Sequence, residues 1–299
     1  MSQLTGLHIV DHLHDDECLL LPKAANISRI HLASLFRHLE FEFPAPSITH
    51  LDLIGLPISL VAKLLLGCPN LVEFRCRVPT CFRTQDLSIV VSSPLIFNHL
   101  PTFAWSMCPV SSSNMEKEVL GSIHLPALTT FHWYSLGATN MEMDYSRVAF
   151  LSRLPKSLET LQFSGIYTIR STDNPLQYVR HATNVTEIQI FSCTPVFVQY
   201  VLSSLSQGTD HDSTLFPHLT RISVEYSFEE RLPQNGLVQF SLEIGIILAQ
   251  MLRSRAGIVN TFTFIAEHAH LTCYWNDEMC VTTLERILRL QRRQRLEGE

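Results

Sequence analysis

Charge is scarce in this chain: Asp, Glu, Lys and Arg together make up 17% of its 299 residues, and glycine occupies only 11 positions. The charge that is present is acidic, with a formal net of −6. A protein whose affinity comes from neutralising phosphates needs a domain-wide basic surface, so nucleic acid is not an expected partner. So few glycines leave little material for phosphate-cradling loops or strained catalytic turns. The phosphate loop G-x-x-x-x-G-K-[ST], the dinucleotide fingerprint G-x-G-x-x-G, the nucleophile elbow G-x-S-x-G, the H-E-x-x-H helix and the deaminase pair H-x-E with P-C-x-x-C are all missing. No cofactor is expected, and the chain reads as a non-enzyme.

Long apolar runs are missing as well. The most apolar stretch, Ile244 to Leu252, is broken by Gln250 and preceded by Glu243. It falls well short of the roughly 20 residues that span a bilayer, so it is expected to be a core helix segment, with no membrane partner. The stretch from Met1 to Asp16 has no basic region followed by an apolar one, so no signal peptide is expected. Eight cysteines (Cys18, Cys68, Cys76, Cys81, Cys108, Cys193, Cys273 and Cys280) form no C-x-x-C pair and are too dilute for a disulfide scaffold. They are expected to be reduced thiols in a cytoplasmic or nuclear protein.

What the chain has in plenty is apolar residues, 46% of the total, and they recur in a pattern. The form apolar-x-x-apolar-x-apolar begins at Leu4, Ile27, Ile48, Leu71, Leu100, Leu128, Leu158, Val185, Leu219 and Val259. Successive starts are 23, 21, 23, 29, 28, 30, 27, 34 and 40 residues apart. The last two apolar positions of each unit lie two apart, so they share one side of a short strand while their neighbours take the other. Between the strands lie helical segments. Pro57 to Gly67 opens on proline and closes on glycine, Tyr145 to Leu154 spaces Val148, Leu151 and Leu154 for one helix face, and Pro195 to Leu205 does the same with Phe197, Val201, Leu202 and Leu205.

A strand that must return in the same direction needs a crossover segment, so this alternation predicts a parallel sheet. The fold class expected is α/β, an irregular leucine-rich-repeat solenoid of about ten units over residues 1–299. A curved parallel β-sheet would line the concave face, with helices and loops on the convex face. Residues 276–299 carry Arg286, Arg289, Arg292, Arg293 and Arg295 around Leu284, Ile287, Leu288 and Leu290. They are expected to form a basic amphipathic helix that caps the array with a hydrated polar face, an acidic partner or nuclear targeting being the alternatives.

The units LPALTTFHW, LPKSLETLQF, FPHLTRISV and GCPNLVEFRC, with proline and a short polar step just before the strand, resemble the leucine-rich-repeat regions of F-box-like proteins from mushroom-forming fungi. The resemblance implies a protein-interaction module that selects a client, while an N-terminal F-box would dock onto a ubiquitin-ligase adaptor. No Leu-Pro-x-Glu-hydrophobic opening and no tryptophan-bearing helix follows it here. Adaptor binding is therefore expected only through an F-box outside these residues. The runner-up is a repeat-scaffold enzyme, hydrolase-like, with its site in an inserted loop.

Two clusters have the composition of metal ligands: His12 and His14 before Asp15, Asp16 and Glu17, and His268 with His270. No second half with closed zinc spacing accompanies either, so solvated loop histidines are expected and no metal. Cys108 and Cys193 each end a unit of the form L-x-x-L-x-L-x-x-C, where burial in the core is the ordinary role of a free cysteine. Residues flanking the apolar strand positions should face a partner: Arg29, His31, His50, Asp52, Glu73, Arg75 and Arg77 as one charged patch, with His132, Tyr134 and Phe191 farther along. Ala104 and Ser106 belong to the same row. The alternative is a solvated face held by cross-strand ion pairs worth about 0.2 to 1 kcal/mol each.

Overall fold

A computed structural model of the chain describes residues 5–11, 27–34, 45–79, 94–106, 114–135, 145–166, 175–206, 215–226, 247–248, 250–255, 261–266 and 269–274. It divides into two compact units, residues 1–157 and 158–299. In the first, β1 (Gly6–Asp11), β2 (Arg29–Ser34), β3 (His50–Ile54), β4 (Glu73–Arg77), β6 (Thr102–Ser106) and β8 (Thr130–Tyr134) lie side by side in chain order, all parallel. A separate parallel pair joins β5 (Leu95–Ile96) to β7 (Ile123–His124). The crossovers carry α1 (Ile58–Gly67), α2 (Asn114–Ser122) and α3 (Tyr145–Leu151). Pro57 precedes α1 directly, where a missing N–H costs nothing.

In the second unit, β9 (Thr160–Ser164), β10 (Glu187–Phe191), β11 (Arg221–Tyr226) and β12 (Thr261–Ala266) are parallel neighbours, with α4 (Pro175–Tyr178) and α5 (Pro195–Ser206) between the first three. Residues 250–254 are also helical. The fold is thus α/β with a mostly parallel arrangement of strands, and a strand stands at each of the ten positions where the apolar pattern repeats. One expectation fails: the pairing is not parallel throughout. A further strand, β13 (Ala269–Tyr274), runs antiparallel to β12, with Phe264 opposite Leu271. Only residues 267 and 268 separate the two strands, too short a link for a crossover, so the chain can only turn back on itself. His270, read as a loop residue, therefore lies in a strand.

The register follows the apolar pattern. Leu51, Phe74 and Phe103 are partners across β3, β4 and β6, as are Leu161, Ile188 and Ile222 across β9, β10 and β11. Within the first unit Phe74, Phe103 and Phe131 form a row whose rings lie 5.3 and 6.3 Å apart, and Phe150 of α3 leans on the last two at 5.9 and 5.8 Å. In the second unit Phe163 meets Phe197 of α5 at 5.4 Å. Helices therefore cover the apolar side of these strands in each unit. Phe131, Trp133, Leu161, Phe163, Ile188 and Ile190 are buried, as the pattern predicts. In α3 the prediction is only partly right. Leu151 is buried, but Val148 is half-buried and the inward positions also include Phe150 and, unexpectedly, Arg147.

Two recurring details tie each unit to the last. The hydroxyl just before a strand donates to the backbone carbonyl at or next to the same place one unit earlier: Ser28 to Thr5, Thr49 to Ser28, Thr129 to Pro101, Thr186 to Glu159 and Thr220 to Thr186, at 3.2 to 3.4 Å. The residue just after a strand turns the chain away in the left-handed region at Gly55 (φ 70°), Val78 (φ 53°), Gly165 (φ 64°) and Ser192 (φ 49°). Glycine adopts that region freely, whereas a side chain there costs about 1 to 2 kcal/mol.

Cys68, Cys76 and Cys193 are buried free thiols, and burial pushes Cys68 and Cys193 up to about 12, which keeps them protonated and inert. Cys76 is raised for the same reason. Among the described residues no helix is long and apolar enough to cross a membrane. His12, His14, His268, Cys108 and the basic segment 276–299 lie outside the described residues.

Candidate functional site

The face of the first sheet that carries Glu73, Arg75 and Arg77 opposes the face holding Phe74 and Cys76, as strand alternation requires. Parallel register sets the open face in ranks. Gly6, Arg29, His50, Glu73 and Thr102 stand in one rank, and His8, His31, Asp52, Arg75, Ala104 and His132 in the next. Side chains predicted to form one patch are therefore brought together, although they come from segments far apart in the chain.

The contacts within the patch are specific. Asp52 accepts on Oδ2 both from His31 Nδ1 at 2.9 Å and from Arg77 Nη2 at 2.7 Å. Glu73 accepts from Arg75 Nη2 at 2.6 Å and has His50 Nε2 3.9 Å away. The contacts of His31 and Arg77 with Asp52 and of His50 with Glu73 cross between neighbouring strands, as expected of a charged sheet face, whereas Glu73 and Arg75 share β4. Arg29 differs: it is exposed and makes no ion pair among the described residues. The rings of His8 and His31 meet edge to face at 4.2 Å. An open groove of about 370 Å³ runs over this corner, lined by Gly6, His8, Arg29, His31, Asp52 and Arg75 among others.

Arg75 and Arg77 do not behave alike, although both belong to the one charged patch. Arg75 is 47% exposed, whereas Arg77 is 33% exposed and tied to Asp52. Ala104 and Ser106 depart from expectation. They belong to the outward rows, yet they are 1% and 0% exposed. Their partners in register are long, Arg75 and His132 beside Ala104 and Tyr134 beside Ser106, so the short side chains lie below the surface those neighbours create. The Ser106 hydroxyl has no hydrogen-bond partner among the described residues.

His132 and Tyr134 lie against each other with ring centroids 3.6 Å apart and planes tilted by 33°. Burial, with help from the positive charges of Arg75 and Arg77, depresses His132 to about 3, so it is a neutral ring at physiological pH. Burial raises the Tyr134 phenol, and it stays protonated. His50 is lowered too, by burial and by Arg29, against the opposing pull of Glu73. Phe191 stands apart from this group. It lies in the second unit, half-buried, in register with Ser164 and Glu225.

Chemically, the patch offers one cation that is unpaired among the described residues, several imidazoles and an aromatic pair, a set suited to holding an anionic or planar group. Among the described residues no group of three or more His, Cys, Asp and Glu side chains is arranged to hold a metal ion. Neither a scan against protein-family models nor a search of curated proteins gives a match.

Sequence reasoning missed the buried polar residues. Glu116 and Arg147 are 3% and 4% exposed, and Glu116 also accepts from Trp105 Nε1 at 3.1 Å. Arg255, 1% exposed, donates to the carbonyls of Leu205 at 2.9 Å and Phe216 at 3.1 Å, and to that of Leu215. Burial brings its guanidinium down to about 10. Of the three only Arg147 lies inside a segment read as helical from the sequence, Tyr145 to Leu154, and a charged residue there is ordinarily solvated.

Proposed function

We propose that the chain is a leucine-rich-repeat array whose open sheet face binds a protein partner, as the client-recognition part of an F-box-like ubiquitin-ligase subunit would. The reading favours binding over catalysis, without a cofactor, in the cytoplasm or the nucleus. The observation that carries it is the charged face of β1 to β4, where Arg29, His31, His50, Asp52, Glu73, Arg75 and Arg77 meet above a groove while helices cover the opposite side of the sheet. A face with no helix over it among the described residues and with exposed charge in fixed positions is suited to recognition, since charges govern partner choice and association rate more than stability. The recurrence of a strand at each apolar unit and the unit-to-unit hydroxyl bonds support the repeat reading.

The test is affinity purification with the full chain and with its Arg75→Glu variant, followed by mass spectrometry and by direct binding of each purified candidate. A client lost with Arg75→Glu at unchanged melting temperature supports the reading. A set of bound proteins identical for both chains overturns it.

A further inference from the structure

The corner of the face around Arg29 has a charge pattern opposite to that of the chain. The outward residues of β1 to β4 include Arg29, Arg75 and Arg77 against Asp52 and Glu73, three positive charges against two negative, which leaves a surplus of one before any histidine is protonated. The whole chain carries −6. Asp52 is engaged by His31 and Arg77, and Glu73 by Arg75, so the surplus is located: it is Arg29, which has no ion pair among the described residues. Beside it Gly6 contributes no side chain, and a Cβ there would only just touch Arg29 Cβ, at 4.0 Å. The groove is therefore open next to the guanidinium that, among the described residues of this face, is uncompensated.

His50 completes the corner from the other side, since it is the register partner of Arg29 on one hand and of Glu73 on the other. Its tautomer follows from Thr49. When that hydroxyl donates to the carbonyl of Ser28, 3.2 Å away, it accepts from His50 Nδ1 at 2.8 Å. In that arrangement the proton of neutral imidazole sits on Nδ1, and Nε2 is the atom left to take one up. The charged and titratable groups that face His50 are Arg29, His31 and, one strand on, His8 from the β2 side, and Glu73 and Arg75 from β4, with Asp52 on its own strand.

Resting on the reading of this face as a partner-binding surface, we propose that the groove over β1 to β4 holds an extended, carboxylate-rich segment of a protein partner, with Arg29 as the anchoring cation and His50 beside it. Arginine matches a carboxylate with two parallel N–H donors, and such charge-assisted bonds are roughly twice as strong as neutral ones. One uncompensated arginine suffices for a peptide carboxylate but is far short of the several phosphate contacts on which nucleic-acid affinity depends. A bound carboxylate also offsets the repulsion of Arg29 on His50, which favours protonation of Nε2. By reciprocity, protonation of His50 strengthens binding.

The experiment is fluorescence anisotropy with the full chain and a labelled synthetic twelve-residue peptide alternating Glu and Ser, beside the same peptide with Gln in place of Glu. At pH 7.5 the Glu peptide should bind at least tenfold more tightly than the Gln peptide. Arg29→Met should remove at least tenfold of that affinity, and Lys63→Met on α1 should remove none. Lowering the pH to 5.5, where the glutamates of the peptide remain ionised, should tighten binding severalfold, and His50→Gln should reduce that gain. Circular dichroism melting of each variant keeps loss of fold apart from loss of binding.

Equal affinity for the two peptides, or an unchanged affinity in Arg29→Met, overturns the proposal. So does displacement by free glutarate at the concentrations at which the peptide itself binds, which would assign the groove to a small dicarboxylate. Binding of a twelve-nucleotide single strand as tight as that of the Glu peptide overturns it in favour of nucleic acid. A chain that loses its client with Arg75→Glu but ignores the Glu peptide removes this proposal alone and leaves the recognition reading in place.

Discussion

Arg147 of α3 donates from Nη2 to Glu116 Oε2 of α2 at 2.8 Å, with both side chains 4% exposed. The pair joins two crossovers beneath the sheet, and Trp105 Nε1 binds the other carboxylate oxygen. A buried pair gains little over well-packed apolar residues, but removing one partner leaves the other charge stranded in a poor solvent. Arg147→Met should therefore cost about 3 to 5 kcal/mol. The double variant Glu116→Leu, Arg147→Met should cost clearly less than the sum of the two single changes. Urea unfolding of the four proteins in a double-mutant cycle measures the difference, and strict additivity would contradict the pairing.

Leu161 sits in register with Ile188 of β10 and is 1% exposed. Truncation to alanine leaves a cavity that the surrounding strands cannot close, so Leu161→Ala should cost about 2 to 5 kcal/mol. A melting temperature equal to that of the parent protein would contradict the packing.

Arg75 and Arg77 should separate in stability. Arg75→Glu acts at an exposed side chain whose partner Glu73 is half-buried, and should shift stability by less than about 0.5 kcal/mol. Arg77→Glu sets a second carboxylate against Asp52, whose Oδ1 already lacks a partner among the described residues. It should lower the melting temperature visibly, as like charges at close range do. Equal melting curves for the two variants would mean that the Arg77–Asp52 contact does not persist in solution.

His132 should make the protein acid-sensitive. Its folded value, about 3, lies below the ordinary 6.5, so the unfolded chain binds the proton more readily than the native state does. Its contribution is fully present above pH 6.5 and is lost as the pH falls toward 3, at most about 1.4 kcal/mol per pH unit. Melting temperatures between pH 7 and 4 should thus fall more steeply for the parent than for His132→Gln. Parallel pH profiles would exclude the assignment. Removing Arg75 and Arg77 takes away part of the depression, so the His132 titration followed by NMR should move up in Arg75→Gln, Arg77→Gln.

Strand positions were legible because apolar residues two apart can bury together only on one side of an extended chain, and the repeat of that pattern ten times left little freedom in phase. Helix α5 was equally legible from Phe197, Val201, Leu202 and Leu205, all buried. The charged patch followed from the same alternation, since residues between buried positions must face away. Its internal pairing did not follow. Nothing in the local sequence states that Asp52 takes both His31 and Arg77 while Arg29 has no ion pair among the described residues, because side-chain length and inter-strand register decide which charges meet.

Composition and periodicity alone determined that this chain forms short strands joined by helical crossovers with one apolar side, since burial of that side is the dominant favourable term in folding. Tertiary structure decided what depends on neighbours distant in the chain. It reversed β13 onto β12, because two linking residues permit no crossover. It sank Ala104 and Ser106 below longer partners and buried Arg147 against Glu116, because a polar group enters a core only where a specific partner from another segment meets it.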